Sequence, residues 1–299
     1  MGNCIRKMFN TNMIEIKAVN PLNYRTVVGF NFDKVTNQRY WDKRILDFYD
    51  KIQTIKIHSS FIGLRVNVNE SDEFMVKLNV KKIYIDKIEK FYNDCLEYVN
   101  ISSFYYECND KMYHLNGLEY INILINGVRC PITPNAFVQA NHIMGNILYS
   151  KINELVKPNK NLIVYGRNSF HIASQIYEKF ENILCINPCE IAFNIGLKMM
   201  TNNNYHWSAN KSKEALVHHI NGSSDDTTIV MSPGRNGYAY FDQINLEKFI
   251  GKQVLYITCN EITLKRDIKD NLIIKKNIMI ELFPGTQYNE HIVELECRL

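Results

Sequence analysis

Apolar residues along this chain follow two rhythms. Residues 24–32 (YRTVVGFNF) and 61–68 (FIGLRVNV) are rich in β-branched and aromatic side chains and predict strands. Ile45, Leu46, Phe48, Tyr49 and Ile52 recur at helical spacing within residues 43–56. Ile88, Phe91, Tyr92, Cys95 and Leu96 do the same within 86–98. Runs 120–125 and 128–132 flank Asn126-Gly127, the signal of a tight hairpin. After Pro134 the pattern changes, with a helix expected over 137–156 and a strand over 161–165 ending at Gly166. Strands over 183–186, 228–231 and 254–258 then alternate with helices over 191–200 and 246–250. A helix over 263–270 and a last strand over 291–295 complete the pattern. Alternation of this kind predicts an α/β fold, an open and largely parallel sheet flanked by helices. Ligands bind such sheets beyond the carboxyl ends of the strands. The positions of interest are therefore Gly166, Asn187, Ser232 and Cys259.

Composition narrows the class. In 299 residues, 46% are hydrophobic and 22% charged, which predicts packed cores rather than disorder. No apolar run approaches the roughly 20 residues of a membrane span. The net charge of +4 permits an anionic partner without requiring one. The eight cysteines form no Cys-x-x-Cys pair, so no metal site is expected and a reducing, intracellular and cytoplasmic setting fits. At the start, Gly2 and Cys4 suggest lipidation, but Arg6 stands where Ser or Thr is usual, and an unmodified terminus is the expectation.

Two segments carry candidate chemistry. Cys259 follows the apolar strand 254–258 and precedes a helix, where a helix dipole would lower a thiol pKa. A buried cysteine acting as a small hydrophobe is the alternative. About thirty residues on, Phe283-Pro284-Gly285-Thr286-Gln287-Tyr288-Asn289-Glu290 leads into the last strand.

Together these segments resemble the C-terminal signature of the RNA (uracil-5-)-methyltransferases. That family's Ser-Cys-Asn-Pro element reads here Thr258-Cys259-Asn260-Glu261, and its Phe-Pro-x-Thr-x-His-x-Glu element keeps Phe283, Pro284, Thr286 and Glu290, with Tyr288 for His. Phe137-Val138-Gln139-Ala140-Asn141 resembles its Phe-x-Gln-x-Asn element, and Ser232-Pro233-Gly234-Arg235-Asn236-Gly237 its Asp-Pro-Pro-Arg-x-Gly element. Asn23-Tyr24-Arg25 stands where the family has a Tyr-Arg pair.

The resemblance implies a Rossmann-like class I methyltransferase domain over 134–299, preceded by a smaller, RNA-facing α/β domain over 1–133. It implies S-adenosyl-L-methionine as cofactor and RNA, transfer RNA above all, as partner. Cys259 would add to uracil C6 and Glu290 would remove the C5 proton. Gln139, Tyr165, Gly166, Ser169, Asn187 and Ser232 would line the cofactor site, and Phe137, Arg235, Asn260 and Thr286 the substrate site. Arg25, Arg235 and Arg266 would meet phosphates or the extruded base.

The cofactor motifs depart from the family's pattern. Asn168 stands for the second glycine of Tyr165-Gly166-Arg167-Asn168-Ser169-Phe170, Asn187 for the acid ending the second strand, and Ser232 for the Asp of Asp-Pro-Pro-Arg. Two readings follow: a working uracil-C5 methyltransferase, or a pseudoenzyme kept as an RNA-binding or assembly module.

Overall fold

The computed structural model describes residues 13–200, 205–268, 272–286 and 288–297, so the Gly2/Cys4 start lies outside the described residues. Two compact units make up the chain. One is Asn20–Ile143; the other is Met144–Leu299 with the N-terminal segment that ends at Val19. The division thus falls at 143/144 rather than 133/134. The N-terminal segment joins the second unit because β1 (Met13–Ile16) pairs in parallel with β14 (Leu272–Ile280).

In the unit Asn20–Ile143, a five-stranded sheet runs in the order β2 (Val27–Asn31), β3 (Phe61–Val68), β4 (Phe74–Val80), β5 (Ile101–Cys108), β6 (Lys111–Gly117). Helices α1 (Lys43–Ile52) and α2 (Ile85–Leu96) bury Ile45, Phe48, Ile52 and Ile88, Phe91, Cys95 respectively. These residues and Leu64, Val66, Val76, Leu78 and Phe104 from alternate strand positions form one apolar core. Asp42 starts α1 by accepting a hydrogen bond from the Arg44 amide at 2.9 Å. Strands β7 (Ile121–Ile125) and β8 (Val128–Ile132) form the expected hairpin, with Asn126 and Gly127 at φ 48° and 84°.

The helix expected over 137–156 starts later: α3 is His142–Leu155. The preceding residues are drawn into pairing instead. Ala140 accepts a bond from the Thr26 amide at 2.9 Å, and Asn141 bridges Arg25.

The other unit is built on an eight-stranded sheet: β1, β14, β15 (Glu290–Cys297), β13 (Val254–Thr258), β12 (Thr227–Ser232), β9 (Asn161–Gly166), β10 (Asn182–Ile186), β11 (His206–Asn210). All neighbours pair in parallel except β15, which runs antiparallel to β13 and β14. The chain moves outward from β9 to β11, then returns through α6 (Ala215–Asn221) to β12. The order therefore reverses between β9 and β12, and the crevice at such a switch point is where an α/β sheet binds ligands. This is the Rossmann-like class I methyltransferase arrangement. Helices α4 (Ser169–Ile176), α5 (Glu190–Leu197) and α7 (Glu261–Asp267) follow β9, β10 and β13. Residues 246–249 form a 3-10 turn in place of the expected helix.

Gly166 sits at the switch point with φ +136°, where a Cβ would lie 2.2 Å from the Ser232 carbonyl oxygen. Both the backbone angle and the approach of β9 to β12 demand glycine. Gly166→Ala is expected to destabilise the protein by about 2 kcal/mol or more. A lowered midpoint of urea unfolding at unchanged slope would register it.

Candidate active site

Strands β13 and β15 bring the two candidate catalytic residues together. Their antiparallel register runs from Val254 opposite Leu295 to Thr258 opposite His291. Cys259 follows Thr258 and Glu290 precedes His291, so both lie at that end of the ladder. Cys259 is half-buried and Glu290 is 9% exposed.

Asn260 fixes the turn that carries the cysteine. Its Oδ1 accepts from the Ile262 amide at 3.0 Å, capping α7, and its Nδ2 donates to the Arg235 carbonyl at 3.0 Å. The Asn260 amide in turn donates to the Thr258 hydroxyl at 3.1 Å. The turn from β13 is thereby tied to the 232–237 loop after β12. Asn260 thus positions its neighbours through its own side chain.

The guanidinium of Arg235 lies 4.8 Å from the centre of the Tyr288 ring. It also faces both Cys259 and Glu290. Burial pushes the Cys259 thiol upward, the Glu290 charge adds to that, and the Arg235 cation pulls the other way. The expected lowering by the helix dipole is therefore overturned: burial and a facing carboxylate outweigh a one-helix-end dipole. Burial raises the Glu290 carboxyl to about 8, against the opposing pull of Arg235. A carboxyl so placed is largely protonated at neutral pH, and close to the point where it can exchange a proton either way. Arg235→Gln is expected to raise the Cys259 pKa further. The check is a rightward shift in the pH profile of iodoacetamide alkylation at Cys259.

Thr286 is exposed, and its hydroxyl serves the loop itself, donating to the Phe283 carbonyl at 2.8 Å and accepting from the Tyr288 amide at 3.2 Å. Arg266 is spoken for: it pairs with the buried Asp267 at 2.6 Å and donates to the Asn236 carbonyl at 2.8 Å. Asp267 also accepts from the Tyr238 amide at 2.8 Å and from the Tyr256 hydroxyl. Arg266 and Asp267 thus hold the 232–237 loop, and Gly237 at φ +66° leaves them room.

Tyr165, Gly166, Asn187 and Ser232 gather at the carboxyl ends of β9, β10 and β12, with Ser169 opening α4. Tyr165 packs edge-on to Tyr238 at 4.9 Å, and burial lifts its hydroxyl to about 12. Asn187 is 1% exposed with its amide committed: Nδ2 donates to the Arg167 carbonyl and Oδ1 accepts from the Cys189 amide, both at 3.1 Å. Ser169 is fully buried, and its Oγ has no hydrogen-bond partner. Phe137 and Gln139 belong to the unit Asn20–Ile143, where Phe137 is half-buried and Gln139 buried. Arg25 lies in that unit too, its Cζ 5.9 Å from the Tyr24 ring.

Sequence reading did not assign a role to Tyr288 or His291. Tyr288 is the platform under Arg235, and its signal was the aromatic two positions before Glu290. His291 is buried and meets Asn277 at 3.2 Å and Glu261 at 3.5 Å, linking β15 to β14 and to the start of α7. Only tertiary pairing reveals that link. Among the described residues, no group of three His, Cys, Asp or Glu could hold a metal ion, and no helix is long and apolar enough to cross a membrane.

No protein-family model matches the chain. Its strand order and switch-point crevice define a class I methyltransferase fold, and the crystal structure of Pyrococcus abyssi tRNA (uracil-54, C5)-methyltransferase with S-adenosyl-L-homocysteine shares it. That match has a TM-score of 0.75 at 18% identity over 98% of this chain and 81% of that one. An M. jannaschii tRNA m1G37 methyltransferase matches more loosely, at TM-score 0.52 and 10% identity over 89% and 82%. In sequence, an uncharacterized RNA methyltransferase of Nanoarchaeum equitans is 25% identical over 196 residues, 62% of this chain and 41% of its own. The tRNA (uracil(54)-C(5))-methyltransferase of Pyrococcus abyssi is 25% identical over 214 residues, 68% and 51%. These relatives bear out the resemblance of this chain to the RNA (uracil-5-)-methyltransferase family. The chain spans about half the length of the curated relatives it matches.

Proposed function

We propose that this protein is an S-adenosylmethionine-dependent RNA methyltransferase that acts on C5 of a uridine, in transfer RNA. The observation that carries the reading is the approach of Cys259 and Glu290 at the adjoining ends of β13 and β15, with Arg235 facing both.

Uracil C5 is too weak a nucleophile to take a methyl group unaided. The Cys259 sulfur adds to C6, and the electron pair of the C5–C6 double bond moves toward O4, leaving C5 carbanion-like. Arg235 is placed to stabilise the thiolate before attack. After C5 is methylated, Glu290 in its ionised form, the minor species at neutral pH, takes the C5 proton, the C5–C6 double bond re-forms and the sulfur leaves. Burial that holds the Glu290 pKa near 8 makes its carboxylate a stronger base than an exposed one. Asn260 holds the nucleophile's turn, and Arg235 and Thr286 would line the path of the base, which must leave its stack to reach the sulfur.

The residues at the switch point fit the cofactor's position, since the buried Ser169 hydroxyl is an orphaned group that a ligand atom would satisfy. Tyr165, Gly166, Ser169 and Ser232 would hold it. When bound, S-adenosylmethionine supplies an electrophilic methyl group. Asn187, its amide already committed, contributes shape rather than a strong ribose contact. That commitment and the absent carboxylates favour the second reading, an RNA-binding module that has lost the cofactor.

Calorimetric titration with S-adenosylmethionine, followed by transfer of a labelled methyl group to a tRNA transcript, separates the two. Saturable heat and label on uridine C5 are expected. A flat titration with no label contradicts the enzyme reading and selects the module.

A further inference from the structure

The ladder between β13 and β15 ends at the pair Thr258–His291, one residue short of Glu290. Glu290 opens β15 and pairs with Ile280 on the β14 side. The candidate base therefore sits at a strand end, where backbone pairing holds a residue least firmly.

What steadies that end lies behind the site. Successive strand residues point to opposite faces, so His291 faces away from Glu290 and shares a face with Val293 and Leu295. Those two pack with Tyr256 of β13 and Leu264 of α7. His291 is buried, and its ring nitrogens reach two different elements. Nδ1 lies 3.2 Å from Asn277 Oδ1 on β14, and Nε2 lies 3.5 Å from Glu261 Oε1 at the first position of α7. Glu261 is two residues past Cys259 and adjoins Asn260, whose side chain caps the helix and fixes the nucleophile's turn. One imidazole thus couples the turn that carries the sulfur to the strand end that carries the carboxyl. A carboxylate only accepts, so the Nε2 that faces it bears a proton. Burial lowers the His291 pKa against the opposing pull of Glu261, so the ring meets the carboxylate as a neutral N–H at neutral pH.

We propose that Glu261 and His291 are positioning residues, a brace behind the site that sets the spacing between the Cys259 sulfur and the Glu290 carboxyl. This role rests on the reading of the reaction as uracil-C5 methylation through a covalent adduct. Each residue acts through a neighbour, Glu261 through the turn at Asn260 and His291 through Glu290. Removal of the C5 proton is the step most sensitive to a loosened brace, because Glu290 must reach one atom of a ring already fixed to the sulfur. A misplacement of about 1 Å there can slow the step roughly 100-fold.

Steady-state methyl transfer by the full chain to a tRNA transcript tests this, with a denaturing gel and a thermal melt for each variant. Glu261→Ala is expected to lower kcat about 10- to 100-fold, with KM unchanged for the transcript and for S-adenosylmethionine. RNA-linked protein should accumulate during turnover, as the methylated adduct waits for its proton to be taken. Glu261→Gln keeps an acceptor for His291 and is expected to restore most of the rate. Glutamine lacks the charge that Glu261 sets at the amino end of α7, so this rescue separates the brace from a helix-dipole effect. His291→Gln still offers an N–H to Glu261 and should retain more activity than His291→Leu. A residue that only supports the fold would lower Tm without raising the linked fraction.

Wild-type kcat and no added RNA-linked protein in Glu261→Ala overturn the brace and leave the reaction standing. Equal losses in Glu261→Ala and Glu261→Gln assign the effect to the charge and also overturn it. Glu261 is exposed, so its variants decide the matter even where His291→Leu does not fold. A wild type that neither transfers a methyl group nor links to RNA overturns the reaction, and the brace with it.

Discussion

Cys259→Ala is expected to abolish methyl transfer, by about 10⁴-fold or more, while leaving the fold intact. Activation of C5 requires a covalent bond to C6, and among the described residues the other cysteine that is not buried, Cys189, lies beyond the end of β10, beside Arg167. The cost to stability is small, within about 1 kcal/mol, because the side chain is half-buried and loses one atom. Binding of S-adenosylmethionine and of RNA should persist. Methyl-transfer rates, thermal unfolding and anisotropy on one preparation check all three, and transfer that survives the substitution removes Cys259 from the mechanism.

Glu290→Gln is expected to act in two ways. On the reaction, loss of the base leaves the methylated uracil joined to Cys259, so RNA-linked protein accumulates while turnover stops. On stability, the sign follows from the raised pKa. An unfolded Glu titrates near 4.5, whereas folded Glu290 titrates at about 8. Between those values the native state holds a proton that the unfolded state has released, so wild-type stability falls as pH rises. The slope approaches about 1.4 kcal/mol per pH unit across that window and flattens above it. Glutamine mimics the neutral acid and carries no such loss. The variant should therefore gain on the wild type from pH 5 to pH 8, as read by urea unfolding at each pH. Parallel stability curves for the two proteins would contradict the buried, protonated Glu290.

Much of the sheet that bears the site was legible in the sequence. Runs such as Leu162–Val164 and Val254–Ile257 are apolar on both faces, and strands buried on both sides leave that mark. The hairpin at Asn126-Gly127 was legible for a different reason, since consecutive positive φ angles restrict the residue types. Strand β14 was not. Lys275 and Lys276 interrupt its apolar run, and the ladder to β15 shifts register between Ile274 and Lys276. Strand β11 and helix α6 lie among polar residues with weak periodicity, and β4 to β6 went unassigned. The late start of α3 reflects pairing with Arg25 and Thr26, far away in sequence, which no local pattern encodes.

The site divides the same way. Cys259 and Glu290 could be named from their motifs, but the antiparallel ladder that brings them to one end of the sheet depends on β15 lying beside β13. The roles of Asn187, Arg266 and Tyr288 depended on side-chain partners. Asn187 has the right address for a ribose contact, yet its amide is consumed by Arg167 and Cys189. Arg266 has the right charge for a phosphate, yet it is bound to Asp267. Residue type and position fix where a side chain starts, and hydrogen-bond competition decides what remains free to meet a ligand.

The most direct measurement is covalent trapping with a tRNA transcript containing 5-fluorouridine, analysed by denaturing gel and peptide mass. Fluorine at C5 cannot be removed as a proton, so the adduct formed after methyl transfer has no exit. A stable protein–RNA band, with RNA attached at Cys259 and lost in Cys259→Ala, is the predicted result. No band under conditions where the RNA binds, or attachment at another residue, would contradict it.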